Sequence, residues 1–188
     1  MCGISGIVGS SYTYIYDMVK AMEHRGPDHS DVYIDRNIQL GHNRLSIIDL
    51  NEDANQPFKI GRHIIVFNGE LYNYIELRSE LEVFYDFRTN SDTEVLLYSF
   101  LKWGKSCLDK FNGMFAFALW DKKKQELTIG RDRMGQKPLF YGYVGNDFVF
   151  GSELKSLKKH PQWKGDICTD TLDIYLRMGY VPTPYSIY

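Results

Sequence analysis

A cysteine in second position, in the segment Met1-Cys2-Gly3-Ile4-Ser5-Gly6-Ile7-Val8-Gly9, can be a nucleophile that carries its own base. If an aminopeptidase removes Met1, a thiol and a free α-amine stand on one residue. An α-amine titrates at about pH 8, so near neutrality part of it is unprotonated and can take the thiol's proton directly or through one water. With Met1 attached the same nitrogen is an amide without basicity. A cysteine at position 2 can also be incidental, and the rest of the chain bears on that choice.

Four polar constellations could serve such a nucleophile. Gly41-His42-Asn43-Arg44-Leu45-Ser46-Ile47-Ile48-Asp49 puts an arginine at the mouth of an apolar run. A guanidinium fork there can hold a carboxylate by two hydrogen bonds, although a strand-end arginine is more often simply solvated. Phe67-Asn68-Gly69-Glu70-Leu71-Tyr72-Asn73 contains Asn-Gly, a turn signal first of all. An Asn amide beside a Gly backbone N–H also supplies two donors that can converge on one oxyanion, which acyl transfer to a thiol requires. Arg88-Thr89-Asn90-Ser91-Asp92-Thr93-Glu94 reads as a helix cap through Ser91 or Asp92, and Glu23-His24-Arg25-Gly26-Pro27-Asp28 as a charged turn closing a helix.

The elements that must position these groups alternate between short strands and a few helices. Strand-like runs are Gly3–Val8, Val32–Ile34, Ile38–His42, Leu45–Leu50, His63–Asn68, Met114–Asp121, Glu126–Arg131, Leu139–Val144 and Phe148–Gly151. Helical spacing appears over Thr13–Glu23, Tyr74–Glu82 and Thr93–Lys110, the last interrupted by Gly104 and capped by Asp92. Shorter helices are expected at Glu153–Lys159 and Thr171–Arg177. Tight turns at Lys122-Lys123-Lys124 and Gly145-Asn146-Asp147 join neighbouring strands, so the sheets should be antiparallel, with helices on their outer faces. The end, Gly179 to Tyr188 with Pro182 and Pro184, reads as an extended connector.

Composition narrows the function classes. The 188 residues are 44% hydrophobic and 15% aromatic, enough for one well-packed core, and a net charge of −2 argues against nucleic acid as a partner. Cys2, Cys107 and Cys168 are an odd number at unrelated spacings, which fits neither a disulfide framework nor a zinc site and points to a reducing cytoplasm. No apolar run has the length of a membrane span or the pattern of a signal peptide.

Taken together, the segments Met1-Cys2-Gly3-Ile4, Arg25-Gly26-Pro27-Asp28, Gly41 to Asp49, Phe67 to Asn73, Ser91-Asp92-Thr93-Glu94, Arg131-Asp132-Arg133-Met134-Gly135-Gln136-Lys137-Pro138-Leu139 and Gly151-Ser152-Glu153-Leu154-Lys155-Ser156-Leu157 resemble, in the same order, the N-terminal glutaminase domain of the glutamine-hydrolysing asparagine synthetases. The resemblance covers almost the whole chain. It implies an α+β fold, a four-layer αββα sandwich of two antiparallel sheets of the N-terminal-nucleophile hydrolase type. It also implies roles: Cys2 attacks the glutamine side-chain amide, and its α-amine relays the proton to ammonia. Asn68 and the Gly69 N–H hold the oxyanion, Arg44 takes the α-carboxylate, and Asp92, assisted by Glu70, takes the α-ammonium.

By the same resemblance the glutaminase domain is expected over residues 1–178, with 179–188 opening a connector to a synthetase domain. That domain's Ser-Gly-Gly-x-Asp-Ser motif does not occur here, so ATP and Mg are expected only there, and no cofactor or metal in this domain. The expected partners are glutamine and the C-terminal synthetase domain, with no nucleic acid and no membrane; a homodimer is allowed. Where the family commonly has glycine, this chain has Asp31 and Ala54. Two other readings stand beside this one: ammonia supply for another carboxylate such as a sugar acid, and a glutamine-binding module that does not hydrolyse.

Overall fold

The computed structural model describes residues 1–9 and 12–188. One sheet contains β1 (Gly3–Val8), β2 (His29–Asp35), β3 (Ile38–Arg44), β8 (Phe140–Val144) and β9 (Asp147–Gly151) in the order β2-β3-β1-β9-β8. The other contains β4 (Phe58–Ile60), β5 (His63–Leu71), β6 (Gly113–Asp121) and β7 (Glu126–Arg131) in chain order. Every neighbouring pair is antiparallel.

Side-chain alternation explains why two sheets stack with helices outside them. Ile4 of β1, Ile38 and Leu40 of β3, Ile64 and Val66 of β5, and Ala116, Ala118 and Trp120 of β6 form one buried cluster between the sheets. The intervening residues point outward. Ile7 and Val149 meet Ile15, Met18 and Val19 of α1 (Ile15–Ala21) and Leu157 of α4 (Leu154–Leu157). Ile65, Phe67 and Phe117 meet Leu77 and Leu81 of α2 (Tyr74–Leu81) and Val95, Leu96 and Leu97 of α3 (Asp92–Trp103). Three apolar interfaces therefore separate four layers, the expected αββα sandwich.

Several local expectations are corrected. Leu45–Leu50 is a loop and not a strand: the chain leaves β3 at Arg44, and Ile47 and Leu50 are 58% and 75% exposed. Asn68-Gly69 is no turn but lies inside β5, paired with Ala116 and Phe115 of β6. The long helix stops at Trp103 because Gly104 takes φ 59°, and the chain continues to Asp109 as a 3-10 turn. Its N-cap is Ser91, whose hydroxyl accepts from the Thr93 N–H at 3.1 Å, while Asp92 turns to another partner. Asp31 lies within β2, opposite His42, and the short β4 was not foreseen. A final helix, α5 (Thr169–Met178), ends at Gly179 with φ 76°, after which the tail returns to its own domain. There the Cys168 N–H donates to the Ile187 carbonyl at 2.9 Å and Tyr188 meets Trp163 edge to face.

Candidate active site

Alternation that fills the space between the sheets with apolar side chains places polar ones there at one end. On β3 the inward series runs Ile38, Leu40, His42, Arg44; on β5 it runs Ile64, Val66, Asn68, Glu70. Cys2 precedes β1 by one residue at the same end. That end opens onto a cavity of about 300 Å³ lined by Cys2, Arg44, Asn68, Gly69, Glu70 and Asp92, with Gln56, Met114 and Lys137 in the same wall. That volume suits a small ligand.

The Cys2 thiol is clamped by one residue. It accepts from the Leu45 N–H at 3.4 Å and faces the Leu45 carbonyl as donor at 3.6 Å. Burial pushes the thiol pKa up, against the lowering by the Leu45 hydrogen bond, the N-terminal charge and Arg44. The thiol is therefore protonated at neutral pH and needs a base before it can attack. Arg25 fixes the backbone at this point: its Nε donates to the Cys2 carbonyl at 2.9 Å and its Nη1 to Glu153 at 2.9 Å. The charged turn that Arg25 closes is thus tied to the candidate nucleophile, a link that its sequence context did not reveal.

The edge of β5 carries the donors. Hydrogen bonding along an antiparallel strand alternates between its two sides. The Phe67 N–H donates to Gln56 Oε1 at 2.6 Å and the Leu71 N–H to Asp92 Oδ2 at 3.0 Å, both on the side away from β6. Gly69 lies between them in the same phase, so its N–H faces that side too, which the short β4 does not reach because its first residue, Phe58, pairs with Ile65. Only glycine fits there, since a Cβ would stand 2.3 Å from the Met114 carbonyl oxygen. The Asn68 side chain is 1% exposed and its Nδ2 has no partner among the described residues. Unmade hydrogen bonds of buried amides are uncommon and destabilising, which makes this donor available to a ligand.

Charge divides the cavity. Arg44 is 5% exposed and donates through Nη1 to the Asn51 carbonyl at 2.9 Å and to Asn55 Oδ1 at 2.6 Å, and through Nη2 to the Asp49 carbonyl. It is thus neither a solvated strand-end arginine nor a wholly free fork, because part of its donor set holds the loop over the site. Asp92 is 4% exposed; burial raises its pKa to about 7, with the Glu70 charge adding to the rise and the Leu71 N–H opposing it. Lys137, 5% exposed, has no carboxylate within ion-pair distance among the described residues. Nothing in the spacing of Gln56 or Lys137 points to the cavity, although Lys137 lies in the Arg131 to Leu139 segment. The described residues include no group of three or more His, Cys, Asp or Glu that could hold a metal ion. No helix among them is long and apolar enough to cross a membrane.

Comparison with known proteins agrees with this architecture. The glutamine PRPP amidotransferase from B. subtilis, complexed with ADP and GMP, superposes with a TM-score of 0.73 over 84% of this chain and 43% of its own, at 22% identity. The two chains share this fold. A family model for the glutamine amidotransferase domain matches residues 1–188, and the chain belongs to that family.

Curated relatives are longer. The putative glutamine-hydrolysing asparagine synthetase 2 of Methanocaldococcus jannaschii is 40% identical over all of this chain and 41% of its own length. Asparagine synthetase 3 of Bacillus subtilis is 40% identical over 98% of this chain and 32% of its own, and asparagine synthetase B of Escherichia coli 40% identical over 84% and 30%. The chain thus spans less than half the length of these relatives.

Proposed function

We propose that this chain is the glutamine-hydrolysing half of an asparagine synthetase-like enzyme. After loss of Met1, the Cys2 α-amine takes the thiol proton and the thiolate attacks the glutamine side-chain amide. The Asn68 Nδ2 and Gly69 N–H stabilise the tetrahedral oxyanion. Collapse breaks the C–N bond, the amine returns the proton to departing ammonia, and water hydrolyses the γ-glutamyl thioester to glutamate. Arg44 and Asp92, cation and anion, hold the α-carboxylate and α-ammonium, with Glu70 beside the latter.

The observation that carries this reading is the open donor pair, an unpartnered buried Asn68 Nδ2 beside the Gly69 N–H, in the cavity that Cys2 enters. Residues 1–178 form the glutaminase domain in this reading, and the connector from Gly179 leads to a synthetase domain that brings ATP, Mg and the ammonia acceptor. The names and lengths of the relatives support aspartate as that acceptor over another carboxylate.

The chain freed of Met1 should release ammonia from glutamine without ATP, and Cys2→Ala should abolish release while circular dichroism stays unchanged. Equal ammonia release by the two proteins would refute the assignment. Tight glutamine binding without release by the freed chain would favour the binding-module reading.

A further inference from the structure

The open edge of β5 is maintained by side chains that stand where a strand is missing. The β4 ladder stops with Phe58 opposite Ile65, so no residue of β4 pairs with Phe67, yet both its main-chain groups on that side are satisfied. The N–H meets Gln56 Oε1 at 2.6 Å, and Gln56 Nε2 in turn donates to Thr93 Oγ1 at 3.1 Å. The carbonyl meets His42 Nε2 at 3.1 Å. His42 belongs to β3 in the opposite sheet, so this contact crosses between the two sheets two residues before Gly69.

We propose that His42 is a positioning residue for the oxyanion donors: by donating from Nε2 to the Phe67 carbonyl it fixes the β5 peptide planes that lead into Asn68 and Gly69. The inference rests on the function proposed above and extends it to a residue that touches neither thiol nor substrate. Of the two neutral tautomers, only the one with its proton on Nε2 makes this bond with the ring nitrogens as they lie. His42 is fully buried, its Nδ1 has no partner among the described residues, and a proton on Nδ1 would leave that N–H unbonded. Burial also lowers the imidazole pKa to about 3, which keeps the ring uncharged through the working range. Held at both its N–H and its C=O, the Phe67 residue cannot roll about the strand axis, and the Gly69 N–H stays directed into the cavity.

Two variants separate positioning from packing. His42→Met removes the donor at similar length, and His42→Gln keeps an amide donor that can reach the carbonyl. His42→Met should lower kcat for glutamine hydrolysis about 10- to 100-fold, less than the about 10²- to 10³-fold of losing one oxyanion donor outright, and leave KM within about twofold. His42→Gln should recover most of the loss. Alkylation of Cys2 by iodoacetamide, which needs no oxyanion hole, should proceed at the wild-type rate in both. Wild-type kcat in His42→Met, equal losses in Met and Gln, or alkylation that falls in parallel with kcat would each overturn the proposal.

A readout on the wild-type protein keeps the inference testable if His42→Met does not fold. Nitrogen-15 NMR of the histidine rings should show His42 with its proton on Nε2 at pH 7, and a neutral ring with its proton on Nδ1 would overturn it. A processed wild-type chain that released no ammonia would count against the proposed function. One that hydrolysed glutamine while His42→Met matched it would count against this inference alone.

Discussion

Asp92→Asn should make the protein more stable and a poorer binder of glutamine, with both effects depending on pH. The carboxyl is raised from the ordinary 3.8 to about 7, chiefly by burial. The folded form therefore holds its proton more tightly than the unfolded form. The stability this group contributes is complete below pH 3.8 and is lost as pH rises through about 7. Each tenfold change in proton affinity is about 1.4 kcal/mol, so the charged form costs at most about 4 kcal/mol at pH 8 and about 2 kcal/mol at pH 5. Buried sites are screened better than a dry interior would be, so at least about 1 kcal/mol of that pH-dependent difference should survive. Asn removes the titration and can still accept from the Leu71 N–H. Urea unfolding at pH 5, 6, 7 and 8 should show the advantage of Asp92→Asn growing with pH. Comparing the two proteins at each pH cancels the titrating groups that do not interact with Asp92, which leaves Glu70 as the one coupled carboxylate. In the wild type, KM should rise as pH falls below 7, while in Asp92→Asn it should be high and flat. Parallel stability curves, or an unchanged KM, would refute the role given to this carboxylate.

Asn68→Ala should lower kcat about 10²- to 10³-fold with little change in KM, the effect of losing one oxyanion donor, read from steady-state ammonia release. Arg44→Lys should raise KM by about tenfold or more, since one charge-assisted hydrogen bond contributes roughly 1.5–3 kcal/mol, and should loosen the 49–55 loop in hydrogen exchange. Glu153→Gln should destabilise by about 1 kcal/mol at pH 7. Although burial pushes the Glu153 carboxyl up, Arg25, Lys155 and His24 hold it at about 2. The stability it contributes is present above 4.5 and lost as pH falls through about 2, so the deficit of the variant should shrink over that range in acid unfolding.

What could be read from the sequence was governed by local periodicity and by covalent position. β1 and β6 are near-continuous apolar runs, β7 sets Leu127 and Ile129 between polar or small residues, and α2 spaces Leu77 and Leu81 one turn apart, so their types and near-boundaries were visible. Cys2 stands out because its chemistry depends on being second in the chain. The failures occur where tertiary contacts override local signals. Leu45–Leu50 has the apolar character of a strand, but Arg44 holds the 49–55 loop across the cavity and draws the chain out of the sheet. Asn68-Gly69 has the composition of a turn, but a nine-residue strand runs through it because Gly113–Asp121 pairs with it throughout. Ser91 and Asp92 were equivalent as caps until Leu71, far away in sequence, claimed the aspartate. Gln56 and Lys137 carry no periodic or spacing signal for the site, and His42 lies on the inward face of β3, but its reach to Phe67 follows only from two sheets meeting face to face.

Covalent trapping on Cys2 tests the central claim most directly. The chain freed of Met1 is mixed with glutamine, quenched in acid within the first turnover, and digested for mass spectrometry. The peptide that begins at Cys2 should carry the mass of glutamine less ammonia as a hydroxylamine-sensitive thioester, and Cys107 and Cys168 should carry none. Ammonia release with no adduct on Cys2, or an adduct on either other cysteine, would contradict the account.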